Sequence, residues 1–234
     1  MAKPIVQLQD LGLIDYKSCW DLQEKLNRTN VNFKIKRAKG EEAPALLENF
    51  LIACQHPPVY TLGKSGDLAN LLIDEQGMES IGAEYYHINR GGDITYHGPG
   101  QLVVYPIFDL EQFFTDLHKF LRYLEEAVIL TIAEYGLKGE RLEGATGVWL
   151  DADIPEKARK ICAIGIRMSR WVSMHGLALN VNTNLDYFKH IVPCGIDDKA
   201  VTSMEKELGR KLDFKEVTSV LQKQLKTLFD YEEN

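Results

Sequence analysis

Short apolar runs of strand length alternate along this chain with one long stretch of helical period. PIVQLQ near the start and NFLIACQ at residues 49–55 are two such runs, and the second ends at His56-Pro57-Pro58, where the prolines impose an extended exit. YYHIN and QLVVYPIF flank a glycine-rich segment, RGGDITYHGPG, at residues 90–100. After them the period changes. Leu117, Phe120, Leu121, Leu124, Val128, Ile132 and Tyr135 recur about every 3.6 residues, which predicts an amphipathic helix, and Gly136 stands where a C-cap belongs. GVWL, KICAIGIR and HGLALNVN are three further strand candidates, and a closing helix is predicted from Asp213, with Glu216 at capping-box spacing. Strands outnumber helices, and no linker, low-complexity tract or repeat interrupts them. The pattern predicts one domain over residues 1–234, of α+β or α/β class, with helices packed on a mixed β-sheet.

Two of these strands have one bulky and one nearly bare face. In residues 160–166 alternation puts Cys162, Ile164 and Ile166 on one side and Ala163 and Gly165 on the other. In residues 175–179 Gly176 and Ala178 lie opposite Leu177 and Leu179. The bare faces suit either close packing of a neighbouring element or a slot for an elongated apolar ligand. The glycine-rich segment poses the same choice. A hairpin turn needs only one or two glycines with φ > 0, and this stretch has four, so something approaches its main chain.

Composition narrows the class. With 45% hydrophobic and 26% charged residues, 234 residues make an ordinary globular chain with a sizeable core. A formal charge of −7 argues against a general nucleic-acid binder, whose affinity comes from a basic face. The first residues lack a signal-peptide core and no apolar run has membrane-spanning length, so a cytoplasmic protein that avoids the membrane is expected. Four widely spaced cysteines without a CxxC pair fit reduced thiols. The densest basic stretch, residues 33–39, would put Lys34 and Lys36 on one face of an extended segment, either as a protected edge strand or as a docking patch for an acidic partner.

Nucleotide and metal motifs fail. GKSG at residues 63–66 would need a glycine at Pro58 to be a phosphate-binding loop, and GPGQLV lacks the third glycine of a dinucleotide fingerprint. HExxH is absent and none of the six histidines has ligand spacing, so no metal is expected. Cys194, between Pro193 and Gly195, sits at a sharp turn and is a candidate nucleophile, although a buried structural thiol fits the same residues. Lys160 opens the strand of Cys162, where a solvated strand-end lysine is the plainer reading and position alone does not decide.

Four ordered blocks, RGGDITYHGPGQLVVYPIFDL, KICAIGIR, HGLALNVN and IVPCGI, resemble the octanoyltransferases of lipoate biosynthesis, the lipoyl(octanoyl) transferase family. The likeness extends from about Gln55 to Ile196. It implies a biotin/lipoate protein ligase-like fold, Cys194 as the residue carrying the acyl group as a thioester, and Lys160 as its partner. The substrate-binding segments it implies are Arg90, Gly91, Gly92, Asp93, Ile94, Thr95, Tyr96 and His97; Ala163, Ile164 and Gly165; and Gly176, Leu177 and Ala178. Within that block Tyr96 and His97 would wall or orient the site, and Arg90 would either meet a phosphate of the donor or form a structural pair with Asp93 or another carboxylate. Cys162 stands where the resemblance leads one to expect alanine, adding a second thiol near the site.

The implied reaction moves an octanoyl group from acyl carrier protein, where phosphopantetheine holds it, to a lysine of lipoyl domains. The acceptors implied are the lipoyl domains of 2-oxoacid dehydrogenase complexes and the glycine cleavage H protein. A thioester donor is already activated, so the reaction needs no cofactor of the enzyme's own. Two alternatives belong to other classes: an ATP-dependent lipoate or biotin protein ligase, and a non-catalytic acyl-binding protein.

Overall fold

The computed structural model describes residues 3–192 and 200–234. In chain order the elements are β1 (Ile5–Leu13), α1 (Tyr16–Ala38), β2 (Asn49–Gln55), β3 (Val59–Leu62), α2 (Glu75–Ser80), β4 (Glu84–His87), β5 (Ile94–His97) and β6 (Gln101–Ile107). They continue with α3 (Leu117–Ala133), β7 (Glu140–Leu142), β8 (Ala145–Leu150), β9 (Arg159–Ser169), β10 (Val172–Asn180), β11 (Ala200–Val201), α4 (Met204–Leu208), α5 (Phe214–Phe229) and β12 (Glu232–Glu233). The larger sheet has the order β12-β1-β2-β6-β10-β9-β8-β7, with β11 beside β9, and a smaller sheet has the order β4-β3-β5. Parallel pairs (β1 with β2 and β12, β9 with β11, β3 with β4) mix with antiparallel ones in both. Pro57 and Pro58 part β2 from β3, so consecutive strands enter different sheets.

Both faces of the larger sheet are covered. Leu51 and Ala53, Leu102 and Val104, and Leu177 and Leu179 point into a core completed by α3 and α5. Phe50, Ile52, Cys54, Val103 and Tyr105 point the other way, where Cys19 and the partly buried Trp20 and Leu26 of α1 meet them. This two-sided burial is why NFLIACQ and QLVVYPIF read as continuous apolar runs rather than alternating ones. The predicted helices are α3 and α5: Gly136 follows α3 with φ +83°, and Asp213 caps α5 by accepting from the Lys215 and Glu216 amides.

Two expectations are corrected. Residues 90–100 are not one loop, because β5 lies inside them, bracketed by a turn before Ile94 and a tighter one at 98–100. Residues 33–38 are the last turns of α1, not an extended segment. Lys34 is buried there and paired with Asp109 and Glu111, so Lys34 and Lys36 form neither an edge strand nor an exposed basic row.

Helix α1 carries no apolar stripe to announce it. The residues it buries are Tyr16, Cys19, Gln23, Asn27, Asn30 and Lys34, recurring at three and four. This polar seam serves backbone that the sheet leaves unpaired: Asn27 donates to the carbonyls of Val172 and Ser173, Asn30 donates to that of Glu48, and Gln23 accepts from the His175 amide.

Candidate functional site

A cavity of about 470 Å³ lies between residues 90–97 and the bare faces of β9 and β10, a size usual for small-molecule sites. Its walls include Arg90, Gly91, Gly92, Asp93, Ile94, Thr95 and His97 from the glycine-rich segment, Lys160, Ala163, Ile164 and Gly165 from β9, and Gly176, Leu177 and Ala178 from β10. The sequence blocks thus meet around one space. Cys194 lies outside the described residues. The chain on either side is described: Val192 donates to the Asn70 carbonyl, and β11 runs beside β9 with Val201 opposite Lys160.

Strand register explains the bare faces. Gly165 pairs with Gly176 and Ala163 with Ala178, so four small residues form one patch. A Cβ on Gly165 would stand 2.9 Å from the Gly91 carbonyl oxygen and 3.1 Å from Arg90 Cδ, while one on Gly176 would run into the Val104 carbonyl of β6. The glycines admit neighbouring backbone as well as lining the cavity. Close packing, one of the two readings of these faces, is thus seen, and the same faces line the cavity. The Gly91 amide donates to the Ile166 carbonyl at 2.9 Å and so ties the turn to β9.

On β5 alternation turns Thr95 and His97 toward the cavity and Ile94 and Tyr96 the other way. Tyr96 therefore does not wall the site. Its ring stacks on Tyr187 with centroids 4.8 Å apart, inside the core of the smaller sheet. Arg90 is buried and donates to the Thr61 carbonyl at 2.6 Å, to Thr61 Oγ1 at 3.0 Å and to the Gly91 carbonyl. The Asp93 carboxylate instead organises the turn, accepting from the Ile94 and Asp67 amides and from Asn70 Nδ2. The bonds of Arg90 to backbone and a hydroxyl fix its guanidinium against β3 and the turn.

His97 is fixed by a buried relay. Gln101 Nε2 donates to the Tyr96 carbonyl and to Asn180 Oδ1, which orients its amide so that Oε1 accepts from His97 Nδ1 at 2.8 Å. Asn180 Nδ2 donates to the Thr202 carbonyl, and the Thr202 amide donates to the Lys160 carbonyl. One continuous chain thus links β5 to the start of β9. Burial, reinforced by the nearby His56, pushes His97 down to about 3, so at neutral pH it is an uncharged ring with Nε2 as acceptor. That state suits orientation rather than proton carriage.

Lys160 is 8% exposed, and its ammonium stands 4.7 Å from the centre of the Trp149 ring, within cation–π range. Cys162, two residues on, faces the opposite core. It is fully buried among the α3 and α5 contacts, is absent from the cavity wall, and burial pushes its thiol well above the usual range.

Several lining residues escaped the sequence reading. Tyr16 and Tyr105 close one end of the cavity, and His175 enters it from β10 at φ +60°, its Nε2 donating to Asn89 Oδ1. No motif flags Tyr16, which the docking of α1 brings in, whereas Tyr105 and His175 stand inside the QLVVYPIF and HGLALNVN runs and only the fold turns them to the cavity. Gln101 adjoins the glycine-rich block, but only the fold shows what its amide holds.

The lipoyl protein ligase A/B catalytic domain family matches residues 15–226 of the chain. The chain is 60% identical over 228 residues to the octanoyltransferase of Flavobacterium johnsoniae, covering 97% of each. It is 57% identical over 226 residues to that of Cytophaga hutchinsonii, covering 96% of this chain and 93% of the relative. In fold it is similar to lipoate-protein ligase A bound with ATP, at TM-score 0.68 and 16% identity, covering 100% of this chain and 88% of the other. A bi-partite lipoate protein ligase from Thermoplasma acidophilum superposes at TM-score 0.67 and 16% identity, covering 100% of this chain and 86% of the other.

Proposed function

The chain belongs to the octanoyltransferase family, acyltransferases of lipoate biosynthesis, and we propose that it takes an octanoyl group from acyl carrier protein onto Cys194 and passes it to a lysine of a lipoyl domain. The observation that carries this reading is the single cavity where the RGGDITYH block, the small faces of β9 and β10, and Lys160 converge. The PCGI block supplies the nucleophile by sequence, and the described strand after it runs beside Lys160.

In the first half-reaction the Cys194 thiolate attacks the donor's thioester carbonyl, the C–S bond to pantetheine breaks, and Lys160 gives the departing thiolate a proton. In the second, the acceptor lysine's amine attacks the Cys194 thioester. Its surplus proton passes to the neutral Lys160, the amide forms and the Cys194 thiolate returns. The donor bond is already activated, so the chemistry calls for neither ATP nor a cofactor of the enzyme's own. The small Ala163 and Ala178 suit the acyl chain: burying about seven apolar carbons contributes at most roughly 5–6 kcal/mol.

Intact mass after incubation with octanoyl acyl carrier protein tests the reading. One octanoyl group, removable by hydroxylamine and absent from Cys194→Ala, is expected. Acylation of the lipoyl domain at undiminished rate in Cys194→Ala would remove Cys194 from the mechanism. Transfer from free octanoate with ATP, and none from the carrier, would make the chain a ligase instead.

A further inference from the structure

Behind the wall formed by Tyr16 and Tyr105 lies a second group of reactive side chains that the transfer reaction does not use. Cys19 of α1, Cys54 of β2 and His56 just beyond it are all buried, and the two Sγ atoms and a ring nitrogen of His56 lie within 4.8 Å of one another. We propose that Cys19, Cys54 and His56 form a structural site for a thiophilic divalent cation, zinc, which pins α1 to the edge of β2 behind the substrate cavity.

The geometry supports this at three points. Cys54 and His56 stand two apart, on one face of extended chain, and their Sγ and Nε2 are 3.5 Å apart. Zinc at its usual Zn–S and Zn–N distances, about 2.3 and 2.0–2.1 Å, spaces two tetrahedral ligands of these kinds by about 3.6 Å. His56 is also already in the tautomer a ligand needs. Its Nδ1 lies 2.8 Å from the Ile14 carbonyl, which can only accept, so Nδ1 carries the proton and Nε2 keeps its lone pair, which accepts from the Tyr105 hydroxyl at 2.9 Å, a bond that zinc would displace. A backbone carbonyl behind the ligating imidazole is the usual second partner in zinc sites. Finally, Gln23 Nε2 donates toward Cys19 Sγ at 3.9 Å, a contact that favours thiolate.

Charge agrees with burial. Zinc binding would release one proton from each thiol, and two thiolates with one neutral imidazole leave the site electrically neutral, the form an apolar surround tolerates. The neighbours are apolar: Ile52, Val103, Ile14 and Leu22 pack around the cysteines. Spacing alone could not expose such a site, because Cys19 is distant in sequence from Cys54 and the ligands meet only when α1 docks.

The inference stands apart from the acyl-transfer reading, and its test reads metal rather than turnover. Tag-free protein from zinc-supplemented culture is dialysed and its metal measured by plasma mass spectrometry. One zinc per chain is expected, falling to background in Cys54→Ser and in Cys19→Ser and persisting in Cys162→Ser. Refolding the full chain with cobalt should give a near-ultraviolet thiolate-to-cobalt band. That band needs no variant, so it decides the matter even where a substitution fails to fold. A wild-type chain at background zinc and without the cobalt band would overturn the site. So would equal zinc in wild type and in both cysteine variants, or a Cys19–Cys54 disulfide found by alkylation mapping of the denatured protein.

Discussion

Lys160 sits on the cavity wall with its ammonium over Trp149, while Cys162, two residues along the same strand, is turned into the opposite core. Alternation alone would put both on one face, but Trp149 pairs with Lys160 and Val148 with Cys162, so β9 holds one extra residue between them and the register shift lets one act while the other packs. A thiolate needs a nearby cation to persist at neutral pH, so Lys160→Ala should move the pH profile of iodoacetamide alkylation at Cys194 upward and slow both half-reactions. Lys160→Arg keeps charge but cannot cycle its proton, and should preserve more alkylation than transfer. An unmoved alkylation profile in Lys160→Ala would remove Lys160 as the activating partner. Burial of Cys162 gives a second expectation. Timed alkylation of the native protein followed by peptide mapping should label Cys194 well before Cys162, and Cys162→Ala should retain acyl transfer. Dominant early labelling of Cys162 would contradict its place in the core.

At the scale of elements, α1 shows most clearly how far pattern reading reaches. Its buried row of Cys19, Gln23, Asn27, Asn30 and Lys34 has helical spacing but not helical hydrophobicity, so a search for apolar period passes over it. The helices α3 and α5, which bury ordinary apolar faces, were legible from Phe120, Leu124 and Val128 and from the Asp213 cap. The polar seam matters to stability because its partners are buried. Lys34 pairs with Asp109 at 7% and 3% side-chain exposure, and Lys34→Met would strand that carboxylate, at a cost of about 3–5 kcal/mol. Asn27→Ala removes the donor shared by two carbonyls and should cost about 1–3 kcal/mol. Urea denaturation of both variants measures this; a midpoint within error of wild type for Lys34→Met would show that the pair is not held in solution. The site divides along the same line. Its glycine-rich and small-residue blocks stood out in the sequence, whereas Tyr16 reaches the cavity through the docking of α1 and His175 from a position of β10 with positive φ.

Across the whole molecule, three of the six histidines are buried around the cavity and its rear wall. Burial pushes His97 and His175 each down to about 3, and it lowers His56 as well. An unfolded chain binds a proton at such residues near pH 6.5, whereas the folded chain does not until near pH 3. Between those values the unfolded state holds more protons, so stability must fall as pH falls and recover as it rises. For two fully separated histidines the slope reaches about 2.7 kcal/mol per pH unit. Carboxylates held down by partners, such as Glu207 beside Arg159, lose their contribution only as pH falls through about 4.5 and below, so the interval from 6.5 to 5 isolates the histidines. Urea midpoints measured from pH 8 to pH 5 should be flat above about 7 and drop steadily below 6.5, and the drop should be shallower by one proton in His97→Gln. The same rings keep their uncharged state between pH 7 and 8, so any change of acyl transfer across that range would not come from them. A urea midpoint constant from pH 7 to pH 5 would show that these histidines take up protons in the folded state and are not sealed behind the cavity wall.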